Sequence, residues 1–159
     1  MKLPVLSDIQ SAHSRIERFV HRTPGVTIHD VEPVLDLLDL TNTLDDGIAK
    51  LLAGLGAPLD FDEATYERAY RQADNYAERM TQLDLVIVAL GNVHRLSRKP
   101  LLGFALKRSH ALASAVGMGD IHRFLLLGYQ AIQPVRDMAR FLDTVYTREK
   151  TRLDRIYAS

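Results

Sequence analysis

The chain has 159 residues, of which 47% are hydrophobic and 25% are charged, and its formal net charge is zero. These proportions are those of an ordinary globular domain, long enough to bury a hydrophobic core. There is no cysteine, which excludes disulfides, thiol nucleophiles and zinc-thiolate sites. The first ten residues lack the apolar core of a signal peptide, and the apolar run at residues 85–90 is too short to cross a bilayer. We therefore expect a soluble cytoplasmic protein with no membrane contact.

The N-terminal residues carry a helix start signal. Ser7 and Gln10 form a capping-box pattern, which predicts a helix that reaches about His21. The turn sequence Thr23-Pro24-Gly25 ends it. We expect residues 1–25 to form this capped helix and turn, residues 30–158 to form a helical bundle, and the two parts to make one domain over 1–159.

Two further helices are predicted between residues 30 and 73. The first starts near Asp30 and ends in the Gly/Pro-rich residues 54–58, with a split expected at Thr41-Asn42-Thr43 because short polar side chains compete for backbone hydrogen bonds. The second is capped by Asp60 or Asp62. Its tyrosines at 66 and 70, together with Tyr76, form an aromatic cluster that we assign to the core.

The rest of the chain also has helical periodicity. Asn75 and Glu78 form a cap pair before a long helix from about Tyr76 to Arg98, and Pro100 suits the first turn of the next helix. Asp120 is expected to cap a helix reaching Gln133, and Pro134 to start the last one. No stretch alternates as a strand does. The sequence predicts an all-α fold, a single-domain helical bundle of about six to eight helices.

The C-terminal two thirds resembles a group of bacterial all-helical proteins that are named for an FFLEELY motif. The resemblance is carried, in order, by Arg98-Lys99-Pro100-Leu101-Leu102-Gly103, by Gly119-Asp120-Ile121-His122-Arg123-Phe124-Leu125 with Gly128-Tyr129, by Phe141-Leu142, and by the terminal Arg148-Glu149 and Leu153 to Tyr157. The naming motif itself is absent. The resemblance implies a helical fold and no particular reaction.

A shorter segment is similar to the opening helix of pyridoxal-phosphate serine/threonine dehydratases. It consists of Ala12-His13-Ser14-Arg15-Ile16 followed by Val20-His21-Arg22-Thr23-Pro24. The chain has no Ser-x-Lys segment with a Gly-rich phosphate loop and no parallel-sheet pattern that would hold the cofactor. We therefore expect no dehydratase chemistry.

Charge is unevenly distributed along the chain. Residues 30–63 contain nine acidic residues against one lysine, whereas residues 94–110 contain five basic residues and no acid. Arg98 and Lys99 directly precede the helix expected after Pro100, and Arg108 lies two turns into it. Because a helix N-terminus favours anions, these three residues are a candidate anion site. The alternative is that they pair with Asp36, Asp39 or another acid of segment 30–63.

Metal binding and nucleophilic catalysis have little support. His13, Glu17 and His21 share one helical face, but the two histidines are about 12 Å apart along a helix, too far to share one ion unaided. Metal-dependent chemistry through His13 and Glu17 is a third and distant alternative. No serine lies in a Gly-x-Ser-x-Gly turn. We predict no catalytic residue, no metal and no cofactor.

These patterns favour a non-catalytic protein–protein interaction or regulatory module, acting as a homodimer whose acidic and basic segments complement one another. The alternative is a small-molecule or anion-binding protein, or an enzyme, that uses a basic cleft near residues 94–110. Nucleic acid is not expected as a partner, because the net charge is zero and Phe104 is the one aromatic residue in the basic stretch.

Overall fold

The computed structural model describes residues 27–58, 60–99 and 119–158, and these residues form five α-helices and no strand. The helices are α1 (Ile28–Gly54), α2 (Glu63–Ala73), α3 (Tyr76–Ser97), α4 (Gly119–Ile132) and α5 (Met138–Ala158). The predicted all-α bundle is confirmed. The expected N-terminal helix and the helix after Pro100 lie outside the described residues, and the single domain over 1–159 stays a prediction.

Helix α3 lies at the centre of the described bundle. It packs against α1, α4 and α5, while α2 packs against α1 and α5. Both α1 and α5 run antiparallel to α3, as the contacts of Asp30 with Arg95 and of Tyr76 with Asp154 show. Because α1 and α5 do not contact each other in the described part of the chain, they occupy opposite corners of a four-helix arrangement with α2 and α3.

Helix α1 is continuous, so the expected split at Thr41-Asn42-Thr43 is wrong. The polar side chains do not break the helix because they find other partners. The Thr43 hydroxyl donates to the Asp39 carbonyl at 3.0 Å, and the Thr41 hydroxyl accepts from the Gln82 amide of α3 at 2.8 Å. At the N-terminus, the Thr27 backbone N–H donates to an Asp30 carboxylate oxygen at 2.8 Å, one half of a capping box.

The junction between α2 and α3 lies where the sequence predicts it, although the Asn75 side chain does not cap α3, since its Oδ1 accepts from the Tyr157 hydroxyl at 2.7 Å. Asp62 is the cap of α2, since its side chain accepts from the Thr65 backbone N–H at 2.8 Å. Asp74 ends α2 in the left-handed region with a φ of 48°, a conformation that aspartate tolerates better than most residues. Helix α3 then begins at Tyr76 and ends at Ser97, as predicted to within one residue.

The last helix starts one turn later than expected. Pro134 was predicted to begin it, but α5 begins at Met138. The reason is local: the Asp137 side chain accepts from the Arg140 backbone N–H at 3.0 Å and so caps the helix. Helix α4 agrees better, since it ends at Ile132, one residue before the predicted Gln133.

The buried apolar residues come from all five helices. They are Leu35, Leu44 and Ile48 of α1, Ala69 of α2, Leu83, Ala89 and Leu96 of α3, Tyr129 and Ile132 of α4, and Ile156 of α5. Within the described residues no large side chain is completely enclosed. Most apolar side chains lie at the boundary of the core, which is therefore narrow in this part of the bundle.

Gly91 allows a test of the α3–α5 packing. A Cβ at this position would lie 3.9 Å from Leu142 Cδ1, an ordinary van der Waals contact, and glycine in a helix interior costs about 0.5–1 kcal/mol relative to alanine. We expect Gly91→Ala to raise the free energy of unfolding by about that amount in urea titrations. Gly56→Ala should lower it, because Gly56 has a φ of 64°. A loss of stability at Gly91 would show that α3 and α5 pack more closely than described.

Candidate functional site

The predicted anion-site residues Arg98 and Lys99 directly follow α3. Arg98 is exposed and is the C-cap residue, and the half-buried Lys99 donates its backbone N–H to the Leu96 carbonyl at 2.9 Å. Cations stabilise the carbonyl end of a helix. Arg98 and Lys99 therefore also stabilise the C-terminal end of α3. Arg108 lies outside the described residues. The anion site formed by all three residues stays a prediction.

A further cation, Arg136, lies at the same end of the bundle. His94, in the last turn of α3, has Nε2 3.3 Å from the Val135 carbonyl oxygen. This contact holds the segment before α5 against the end of α3. The exposed Arg136 follows directly, so Arg98 and Arg136 both belong to this end.

One residue of the basic segment pairs internally with the acidic segment. Arg95 of α3 forms an ion pair with Asp30 of α1, whose side chain is only 6% exposed. Burial by itself raises the pKa of Asp30, but hydrogen bonds from the Thr27 backbone and from Arg95 outweigh it and hold the pKa below the usual 3.8. Arg95, which is not one of the three candidate anion-site residues, is therefore paired within the chain.

The most buried cation of the described bundle is not among the residues predicted from the sequence. Arg79 of α3 is 4% exposed. Its Nη1 lies 3.4 Å from an Asp45 carboxylate oxygen of α1 and 3.0 Å from the Gln82 amide oxygen, and its guanidinium lies 4.5 Å from the Tyr70 ring centroid of α2. Arg79 thus links three helices. The signal was its place four residues before the buried Leu83, on the inward face of α3.

The tyrosines form two groups instead of the single cluster expected. Tyr66 donates its hydroxyl to Tyr70 at 3.3 Å, and burial raises the pKa of Tyr70 far above its usual value of 10.0. Tyr76 packs instead edge-on against Tyr157 with ring centroids 5.3 Å apart, and donates to Asp154 of α5 at 2.6 Å. The Tyr70 phenol beside Arg79 therefore stays protonated, and the pair at Tyr76 joins α3 to α5.

Helix α5 presents a basic surface that sequence analysis also missed. We call it the arginine face, and it consists of Arg140, Thr144, Thr147, Arg148, Thr151, Arg152 and Arg155, which are all exposed. Their spacing of three and four residues places them along one side of the helix. A shallow depression of about 370 Å³ is lined by Thr147, Arg148, Thr151, Arg152 and Arg155. The Arg/Thr repeat was the sequence signal for this surface.

Most of the arginine face has no ion-pair partner among the described residues. Arg155 pairs with Glu63 and Glu67 of α2, at 3.6 and 3.2 Å. Arg148 and Arg152 form no ion pair with any carboxylate of the described residues, and the same holds for Arg140. The face therefore has uncompensated positive charge over about three helical turns.

Helix α1 presents the opposite charge to solvent. We call this surface the acidic face, and it consists of the exposed residues Glu32, Asp36, Asp39, Thr43 and Asp46. Glu32 lies 3.4 Å from the His29 ring. Asp36, Asp39 and Asp46 form no ion pair with any cation in the described part of the chain.

Metal and membrane functions receive no support from the described helices. Between residues 27 and 158, outside the gaps at 59 and 100–118, no three His, Asp or Glu side chains are grouped so as to hold a metal ion. His13, Glu17 and His21 lie outside this part. No helix in it is both long and apolar enough to cross a membrane.

Comparison with known proteins places the chain in a family. Residues 7–159 match the family model described as a domain of unknown function, DUF8198. The chain belongs to the DUF8198 family. No curated protein matches it, and no solved structure does. The family match covers both charged faces and Arg79, and it assigns no reaction to this DUF8198 chain.

The Asp30 ion pair predicts a pH-dependent loss of stability. Because the folded pKa is depressed, the stabilisation is present above 3.8 and disappears as the pH falls from there through the lowered value. We expect Asp30→Asn to cost about 2 kcal/mol of unfolding free energy near neutral pH, and clearly less in acid. Urea titrations at the two pH values measure this. Asp60→Asn, at an exposed position, is the control, and a cost of Asp30→Asn that does not change with pH would contradict the prediction.

Arg79 predicts a second stability effect. Arg79→Ala should lower the unfolding free energy by about 3 kcal/mol, because it removes a buried side chain and leaves Asp45 and Gln82 without their donor. Arg79→Met should cost less, since it keeps the volume against Tyr70. Arg68→Ala, which removes an exposed arginine of α2, is the control in the same thermal and urea titrations. Equal effects at Arg79 and Arg68 would show that the buried cation does not hold the helices together.

Proposed function

We propose that this DUF8198 domain is a non-catalytic protein–protein interaction module and that its binding surface is the arginine face of α5. The observation that carries the proposal is a run of arginines on one solvent side, of which Arg140, Arg148 and Arg152 have no ion-pair partner among the described residues. Arginine binds carboxylates through two parallel hydrogen bonds. The expected partner is therefore a protein surface rich in Asp and Glu.

The shape of the surface supports a macromolecular partner over a small molecule. Small-molecule sites are concave and are enclosed by several elements. The depression on the arginine face is lined by residues of α5 alone. The face extends from Arg140 to Arg155, about 22 Å along the helix at about 1.5 Å per residue. Such a length fits a helix or an extended segment.

The threonines of the face leave recognition to the arginines. The Thr144 hydroxyl donates to the Arg140 carbonyl, and the Thr151 hydroxyl to the Thr147 carbonyl, both at 2.7 Å. Their donor capacity is thus used within α5. Because threonine side chains are short, they do not project beyond the guanidinium groups, and a partner can approach the helix closely.

The proposal includes three finer statements. The module acts in the cytoplasm, and it is related to the bacterial FFLEELY-motif proteins. It also associates with itself, and the homodimer is its smallest assembly. The complementary charges of the acidic and arginine faces support the self-association. The ordered segments at residues 98–103 and 119–125 support the relationship.

A second candidate is the anion site at Arg98, Lys99 and Arg108. Arg98 favours it, because this exposed residue makes no ion pair with the described residues, and Arg136 adds positive charge at the same end. This candidate implies a small phosphate or carboxylate ligand. Arg98 and Lys99 follow α3, whereas the arginine face lies on α5, so separate substitutions distinguish the two candidates.

The proposal is tested by titrating the chain with fluorescein-labelled poly-L-glutamate at low salt. We expect Arg148→Glu/Arg152→Glu to weaken binding at least about tenfold, a change of about 1.4 kcal/mol. The matched control Arg68→Glu/Arg123→Glu makes the same charge change at exposed positions on α2 and α4 and should bind as the wild type does. Arg98→Ala in the same titration reports on the second candidate.

Two results would overturn the proposal. Equal weakening in the control variant would mean that binding depends on net charge alone. Tighter binding of a single-stranded oligonucleotide of equal charge, lost in the Arg148→Glu/Arg152→Glu variant, would assign the arginine face to nucleic acid instead.

A further inference from the structure

We infer that the arginine face of α5 binds the acidic face of α1 on a second copy of this chain, in a head-to-tail contact. This inference rests on the proposed function, because it names the partner of the same surface. The acidic and arginine faces carry opposite charge, both are exposed, and neither is neutralised by the other within one chain, since α1 and α5 do not contact each other in the described part. Each copy therefore offers one surface of each kind.

The two faces match in length. The acidic face continues to the exposed Lys50, and the arginine face is preceded by the exposed Asp137. The segment from Glu32 to Lys50 and the segment from Asp137 to Arg155 contain the same number of residues. At about 1.5 Å per residue, each is about 27 Å long. Both runs advance by three or four residues at a time, so each stays on one side of its helix.

Antiparallel pairing of the two helices aligns opposite charges along this length. When Asp39 lies opposite Arg148, Glu32 lies opposite Arg155 and Lys50 lies opposite Asp137, while Asp36 and Asp46 each lie one residue from the positions opposite Arg152 and Arg140. Lys50 is the one basic residue at the end of the acidic face, and it lies opposite Asp137, the one acidic residue at the end of the arginine face. Parallel pairing with Asp39 opposite Arg148 keeps Asp46 opposite Arg155, but it places Asp36 opposite Val145 and Lys50 opposite Ser159, so the match at the Lys50 end is lost.

Threonines occupy the middle of both runs. In the antiparallel register Thr43 lies opposite Thr144, and each hydroxyl donates to the carbonyl four residues earlier in its own helix, at 3.0 and 2.7 Å. Neither side presents a long side chain here. The two helices can therefore approach most closely at the centre of the contact, with the ion pairs on either side.

The positions of the helices favour an open contact. Reciprocal pairing around a two-fold axis needs the acidic and arginine faces on one side of the bundle, whereas α1 and α5 stand at opposite corners with α2 and α3 between them. A copy whose arginine face is occupied still presents its acidic face. The contact is thus heterologous, and further copies can add to it.

The contact between the two faces is expected to be weak, because the charged side chains on both faces are exposed to solvent. Arg155 is already held by Glu63 and Glu67, so the added attraction comes mainly from Arg140, Arg148 and Arg152. Exposed ion pairs are individually weak and are screened by salt, with a Debye length of about 10 Å at 0.1 M. Association is expected at high protein concentration and low salt, and is expected to disappear when salt is added.

The test is sedimentation velocity of the full chain at low salt, from micromolar to millimolar concentration. The wild type should grow in mass with concentration beyond twice the monomer. Arg148→Glu/Arg152→Glu and Asp36→Lys/Asp39→Lys should each remain monomeric. A mixture of the two variants should associate again, because each reversed face then meets a face of opposite charge. Recovery in the mixture also shows that both variants are folded.

Matched controls change charge elsewhere. Arg68→Glu/Arg123→Glu and Asp60→Lys/Asp84→Lys alter exposed residues outside both faces and should associate as the wild type does. A mass that stops at twice the monomer would overturn the open contact in favour of a closed dimer. A wild type that stays monomeric while it still binds poly-L-glutamate would overturn the self-association alone, and loss of both would overturn the proposed function as well.

Discussion

The arrangement of the described helices depends on the burial of one cation. Arg79 enters the space between α1, α2 and α3, where it lies near Asp45 and over the Tyr70 ring. A buried charge is tolerated only with compensation, so α1 and α2 must keep their places relative to α3. Two nitrogens, Nε and Nη2, still have no hydrogen-bond partner among the described residues, which leaves Arg79 dependent on the few partners it has. The narrow apolar core makes this polar contact more important than it would be in a larger bundle.

Local sequence signals were enough to predict the helices but not their contacts. Asp62, Asp74 and Gly54 mark helix ends through their own side chains or backbone, and the structure places those ends as predicted. The split in α1 failed for a tertiary reason, since Thr41 accepts a hydrogen bond from Gln82. The start of α5 failed for a local one, because the Asp137 cap outweighed the preference of Pro134 for a first turn.

The candidate surfaces were harder to predict because charge was counted along the chain. Counting placed the positive charge at residues 94–110, where Arg95 is neutralised by Asp30. The arginine face is not apparent from the linear order of charges because Glu149 interrupts it in sequence while lying on the other side of α5. The partners of Arg79 could not be deduced from one helix, since Asp45 lies on α1, 34 residues away, and Tyr70 lies on α2. Helical periodicity applied to charged residues, as it was to apolar ones, would have found the α5 surface.

The absence of net charge has a consequence for how copies of this protein meet. A strongly charged protein is kept apart from its copies by long-range repulsion. This chain has equal numbers of acidic and basic residues, so long-range repulsion between copies is absent at neutral pH. Two molecules can therefore approach until the charges of their individual faces interact. The relative orientation of the two molecules then decides whether they attract. Two acidic faces or two arginine faces repel each other, whereas an acidic face and an arginine face attract each other. The molecule behaves at short range as an electric dipole, and the ionic strength of its surroundings sets the distance at which it begins to orient a neighbour.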